Sequence, residues 1–383
     1  MSHETRFDPV VDLLEQHVGE GVERGASLCV VQDGEVVLDV WRGSSDLEGA
    51  VPWDRDTLVP VWSITKTMTA LCALVLVDRG LVDVEAPVAT YWPEFAAAGK
   101  ESVTVAHLLS HASGVSGWDQ PVSADDIFDV ERSTARLAAQ APWWEPGTAS
   151  GYHLLNQGHL VGEVVRRVTG DSLGTFFARE IAEPLGADFH LGLAPEHDAR
   201  VSPLTSPRLP DDLDQTGLTP ESVALRTMTG PFLSAREANT ERWRRAELGA
   251  LTGIGNARSV ARVQSVMSHG GEVDGVRLLS PDTVDRAIES RVEGTDLVHR
   301  APVRYGLGWA LPLPATYPFV PQERVCFWGG FGGSVVINDL DRRVTIAYTP
   351  NRLVLETIPG QGVIRPVGDA RATGYLAAIE QAL

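Results

Sequence analysis

The chain has 383 residues, a net charge of −19 and a pI near 4.9. So acidic a surface repels phosphate backbones and anionic lipid, so no nucleic acid or membrane partner is expected. Hydrophobic residues at 43% and charged residues at 22% are ordinary for a soluble globular protein, with room for one large or two modest domains.

Residues 8–24 predict a helix, with Val10, Val11, Leu13, Leu14 and Val18 on one face. The N-terminal stretch lacks a basic start before an apolar core, so no signal peptide is expected. Ser27 to Val31 and Val36 to Trp41, joined by Asp33-Gly34, predict a β-hairpin. Thr57 to Val61 reads as a short strand. A long helix follows from Ser63 to Arg79, closed by Gly80. No apolar run reaches membrane-spanning length.

From about Asp83 to Ala250 the pattern is mainly helical. Asn156 to Val168 is one helix, ended at Thr169-Gly170; Ser172 to Ile181 is another, stopped near Pro184. The Pro- and Asp-rich stretch between Ala194 and Glu221 predicts a long loop of the kind that borders a binding cleft. The basic run Arg242 to Arg245 lies among acids and reads as a solvated face or an ion-pair site.

Helices return from about Ser259. Arg324 to Trp328, Ser334 to Asn338 and Val344 to Thr349 then predict strands, and Gly368 to Leu383 a final helix. Strands thus open and close the chain while helices fill its middle. The expected fold is α+β: an antiparallel sheet flanked by helices, plus an inserted mainly helical domain. The expected boundaries are 1–82 with 251–383 for the discontinuous α/β domain and 83–250 for the insert. Cys29, Cys72 and Cys326 lie in apolar runs and read as buried free thiols of a reducing, cytoplasmic setting.

Only Lys66 and Lys100 are lysine among 32 basic residues, and Ser63 is the only serine followed three positions later by lysine. On a helix the two share a face. Ser63 falls at the first turn, where free backbone N–H groups and the positive dipole end favour a developing anion. Met68, Leu71 and Cys72 make the helix apolar over much of its surface, so Lys66 is expected to be buried. Burial lowers an amine's pKa, and a neutral amine can take a proton from serine. No Gly-x-Ser-x-Gly elbow occurs anywhere.

SITK (Ser63 to Lys66) resembles the Ser-x-x-Lys motif of serine β-lactamases, penicillin-binding proteins and related esterases. Other segments agree in order. HLLSHASG (His107 to Gly114), PGTASGYHLLNQGHLVGEVVRRVTG (Pro146 to Gly170), YGLGWAL (Tyr305 to Leu311) and WGGFGGS (Trp328 to Ser334) each resemble a segment of the superfamily. The resemblance runs from about residue 20 to 350 and points most strongly to the family VIII carboxylesterases, which have a class C β-lactamase-like fold.

The resemblance implies roles. Ser63 is the nucleophile, with Lys66 and Tyr152 as the proton-handling pair in a cleft between the two domains. Backbone N–H groups of Ser63 and Phe331 form the oxyanion hole. Trp328, Gly329, Gly330, His153 and Leu154 line the substrate. Two departures from the lactamase pattern stand out. Tyr152-His153-Leu154 lacks the asparagine of Tyr-x-Asn, and Trp328-Gly329-Gly330 stands where lactamases have Lys-Thr-Gly. Both losses favour a neutral ester over an anionic β-lactam and leave room for weak β-lactamase activity. His107 and His111 are spaced as zinc ligands can be, but the intervening residues are apolar and no Glu follows the first. They are expected to serve packing and loop hydrogen bonds; no metal or cofactor is expected.

The expected activity is hydrolysis of short- to medium-chain esters through a serine acyl-enzyme. An acyltransferase, and an amidase or D-amino peptidase, share the same three residues. A non-catalytic structural or peptide-binding relative is the reading outside the enzyme class. A buried lysine without a task would be destabilising, which argues against it.

Overall fold

The computed structural model describes residues 1–383. A six-stranded antiparallel sheet is assembled from both ends of the chain. Strands β1 (Ser2–His3), β2 (Gly25–Gln32) and β3 (Glu35–Gly43) come from the start. Strands β4 (Val325–Gly329), β5 (Val335–Asp339) and β6 (Val344–Pro350) come from the end. The order is β1-β3-β2-β6-β5-β4, and the two ends meet where β6 pairs with β2, Ile346 opposite Val30. The β2–β3 turn is Asp33-Gly34, both with positive φ (50° and 89°), as a two-residue hairpin requires.

Helices α1 (Asp8–Gly19), α2 (Thr65–Asp78), α3 (Gln157–Thr169), α4 (Ala257–Ser268) and α5 (Ala370–Ala382) are the longest. Between residues 83 and 250 the regular elements are all helical. One continuous apolar core takes in residues of the sheet, of α2 and of this helical stretch, from Val30 and Leu71 to Leu160 and Trp243.

Some boundaries differ from expectation. The first helix stops at Gly19, because Gly21 turns left-handed (φ 70°) and sends Glu23 into the core. The strand expected over Thr57 to Val61 shrinks to Val59–Pro60, paired with Ile254–Gly255, since Pro60 has no N–H to extend the ladder. Ser63 lies in a 3₁₀ turn, Trp62–Ile64, that leads into α2. The helix after Ser172 passes through a π-turn, Ala178–Ala182, and ends at Leu185 before Gly186. Arg244 and Arg245 pair with Asp198, and Arg242 with Asp125, so the basic run is an ion-pair site. All three cysteines are buried and free.

Candidate active site

The turn carrying Ser63 is strained and clamped. Trp62 has φ 52°, a conformation costing a bulky residue on the order of 1–3 kcal/mol. Its ring is wedged between Trp243 (4.8 Å between centroids) and Phe331 (5.1 Å). Val61 N–H donates to Gly253 O at 2.9 Å, and Ser334 Oγ donates to Val61 O at 3.2 Å. A Cβ on Gly330 would stand 2.2 Å from Val61 O, so only glycine lets the turn after β4 approach this segment.

α2 is buried from Thr65 to Leu76, and Lys66 is 0% exposed. Lys66 Nζ stands 3.0 Å from Ser63 Oγ, 2.9 Å from Leu154 O and 3.0 Å from Ala250 O. It makes no ion pair. Burial without a counter-ion holds its pKa well below the usual lysine value. A neutral amine has two N–H donors and one lone pair. The two carbonyls take the donors, which leaves the lone pair for the Ser63 hydroxyl. Nζ also lies 4.8 Å from the centroid of the Tyr152 ring.

Tyr152 is 5% exposed. Burial raises its phenol pKa, while hydrogen bonds with Ser63 and Trp328 pull it down and Asp296 adds to the rise. Its backbone is held by Asp296, whose Oδ1 accepts the N–H groups of Tyr152 (3.1 Å), Val298 (2.8 Å) and His299 (2.8 Å). The His299 ring stacks on the Tyr152 ring at 4.3 Å. A cavity of about 10 Å³ adjoins them, lined by Tyr152, His299, Tyr305, Tyr317 and Trp328 among others, with no charged side chain in its wall.

Ser63, Lys66 and Tyr152 therefore meet, Trp328 and Gly329 lie beside Tyr152, and Gly330 and Phe331 pack on Val61 and Trp62 just before Ser63. His153 does not face them. It is 0% exposed, its Nδ1–H donates to Gly151 O at 2.6 Å, and its Nε2 accepts from Ser113 Oγ at 2.6 Å. Burial lowers its pKa to about 4. With both nitrogens engaged in these bonds, the ring has no free polar atom. Leu154 contributes its carbonyl to Lys66.

His111 proves more central than its helix-packing reading suggested. It adopts φ 61°, and its ring contacts those of Tyr152, His153, Tyr305 and Trp328 at 5.0–5.5 Å. Its Nδ1 accepts the His153 N–H at 3.1 Å, and burial keeps it neutral. His107 closes the capping box of the short helix Val105–Leu109. Asp296, His299 and Ala250 carried no signal in the sequence: two lie in a loop between motifs and one acts through its backbone. The long loop is anchored beside this region, where Arg300 donates to Asp214 O (2.8 Å) and Thr216 O (2.7 Å).

A model of the family described as Beta-lactamase matches residues 10–359. The esterase/beta-lactamase LipL of Mycobacterium tuberculosis is 35% identical over 342 residues, covering 86% of this chain and 77% of LipL. The crystal structure of a family VIII carboxylesterase is similar with a TM-score of 0.90 at 36% identity, covering 100% of this chain and 99% of that one. That of a penicillin-binding protein homolog from Caulobacter crescentus gives 0.91 at 34%, with the same coverage. The chain belongs to the beta-lactamase family.

Proposed function

We propose that this chain is a serine carboxylesterase acting on short- to medium-chain esters through an acyl-enzyme on Ser63. The observation that carries the reading is the Lys66 amine, buried without a counter-ion and 3.0 Å from Ser63 Oγ. Ser63 attacks the ester carbonyl as its proton passes to Lys66. Tyr152, kept a neutral phenol by burial, relays that proton to the leaving alcohol. The N–H groups of Ser63 and Phe331 hold the oxyanion, each worth roughly 3 kcal/mol of transition-state stabilisation. Water then hydrolyses the acyl-enzyme by the same route in reverse.

The indole of Trp328, standing beside Tyr152 where a cation would be needed to hold a carboxylate, supports a neutral substrate over an anionic β-lactam. Leu154 O and Ala250 O gripping one amine supports a site in a cleft between residues 83–250 and the discontinuous part, 1–82 with 251–383. Three free, buried thiols support a cytoplasmic setting. No helix is long and apolar enough to cross a membrane.

The test is turnover of p-nitrophenyl acetate, p-nitrophenyl octanoate and nitrocefin by the wild type and Ser63→Ala. The esters should turn over far faster than nitrocefin, and Ser63→Ala should abolish all three. Preference for nitrocefin would make the chain a β-lactamase, and an active Ser63→Ala would move the nucleophile elsewhere.

A further inference from the structure

Behind the turn that carries Phe331 lies a buried charge cluster that the mechanism above does not use. Arg371, Glu23 and Asp369 have side chains 4%, 0% and 1% exposed. Arg371 donates from Nη1 to Glu23 Oε2 at 2.9 Å and from Nη2 to Asp369 Oδ2 at 2.6 Å. Tyr348 donates its hydroxyl to Glu23. Asp369 also caps α5, with Oδ1 accepting the Ala372 N–H at 3.0 Å.

A buried ion cluster is weak evidence for stability, because desolvation offsets most of the Coulomb gain and an apolar set often does as well. This one does something an apolar set could not. The other Nη2 hydrogen of Arg371 is shared between Gly332 O at 3.2 Å and Arg352 O at 3.0 Å. Gly332 follows Phe331; its carbonyl lies two peptide units beyond the Phe331 N–H and also accepts the Val354 N–H at 3.1 Å. The turn is seated on the cluster: Gly332 and Gly333 have φ 89° and 118°, and a Cβ on Gly333 would stand 2.3 Å from Asp369 Oδ2. The other face of the turn is tied to the nucleophile segment by Ser334 Oγ and Val61 O.

We propose that Arg371 is a positioning residue for the oxyanion hole: through Gly332 O it sets the direction of the Phe331 N–H, and Glu23 and Asp369 hold its guanidinium in place. The inference rests on the reading of Phe331 as the second oxyanion donor. A donor displaced by about 1 Å loses on the order of 100-fold in rate.

The experiment compares Arg371→Met, Arg371→Lys, Glu23→Gln and Ile379→Ala with the wild type and Ser63→Ala. Ile379 is a buried apolar residue on the same helix and controls for lost stability. The readouts are kcat and KM for p-nitrophenyl acetate and the affinity of a trifluoromethyl ketone, whose serine adduct carries an oxyanion. Arg371→Met should lower kcat by about 10- to 100-fold, weaken the ketone by a similar factor and leave KM within about threefold. Arg371→Lys should recover part of both losses, and Glu23→Gln should share them in milder form. If Arg371→Met does not fold, Arg371→Lys and Glu23→Gln decide. Ile379→Ala should lose melting temperature but keep kcat within about twofold. Wild-type ketone affinity in the folded Arg371 and Glu23 variants, or an equal kcat loss in Ile379→Ala, overturns the proposal. If Ser63→Ala is inactive while Arg371→Met keeps full kcat, only the positioning role fails. An active Ser63→Ala removes the parent reading itself.

Discussion

Lys66 Nζ is gripped by two backbone carbonyls and by nothing charged, so burial without a counter-ion favours its neutral form. Arginine would stay charged there and present a plane of donors with no lone pair. Lys66→Arg should therefore lose about 10²- to 10⁴-fold in kcat/KM while keeping a cooperative thermal transition; near-normal turnover would remove Lys66 as the base. The sign of the pH dependence follows from the lowered pKa. The working form is the neutral amine, so kcat/KM should fall as pH drops through the Lys66 pKa and lie on a plateau above it. A profile measured on p-nitrophenyl acetate with no acid limb would mean that no amine titrates in the rate-limiting step. Ser63 and Lys66 were legible in the sequence because a helix imposes their spacing. The partners of Lys66 were not, because Leu154 and Ala250 act through carbonyls that any residue carries. The direction of His153 was not legible either, because adjacency to Tyr152 in sequence says nothing of it; its ring turns to Ser113 and Gly151.

α3 passes so close to the segment bearing Ala250 that a Cβ on Gly158 would stand 2.3 Å from Ala250 N. In an open helix Gly→Ala gains about 1 kcal/mol. Here overpacking costs about 1–3 kcal/mol and pushes Ala250 O away from Lys66. Gly158→Ala should lower the melting temperature and reduce kcat more than it changes KM. A variant more stable than the wild type, with normal kcat, would show that the close approach does not position the amine. At this scale the hairpin at Asp33-Gly34 was legible because Asp-Gly tolerates the positive φ the turn needs. The left-handed Trp62 was not, because nothing in an aromatic residue announces that conformation; only packing on Trp243 and Phe331 holds it.

Across the whole molecule the paired ends were readable from strand signals at both termini, and the sheet joins them at β2 and β6. The Arg371 cluster was not, since Glu23 and Arg371 are 348 residues apart and no local pattern links them. The net charge of −19 acts at the same scale. Raising salt from about 10 to about 150 mM shortens the screening length from roughly 30 to 8 Å. For an ester bearing a carboxylate this should raise kcat/KM, and for p-nitrophenyl acetate it should change little; the reverse order would place a cation at the mouth of the site. The most direct test of the central claim is to quench the enzyme in turnover with p-nitrophenyl acetate and map the modified peptide by mass spectrometry. The account predicts one acetyl group, on Ser63, absent from Ser63→Ala and barely detectable in Lys66→Arg. Turnover with no adduct, or an acetyl group on any other residue, would contradict it.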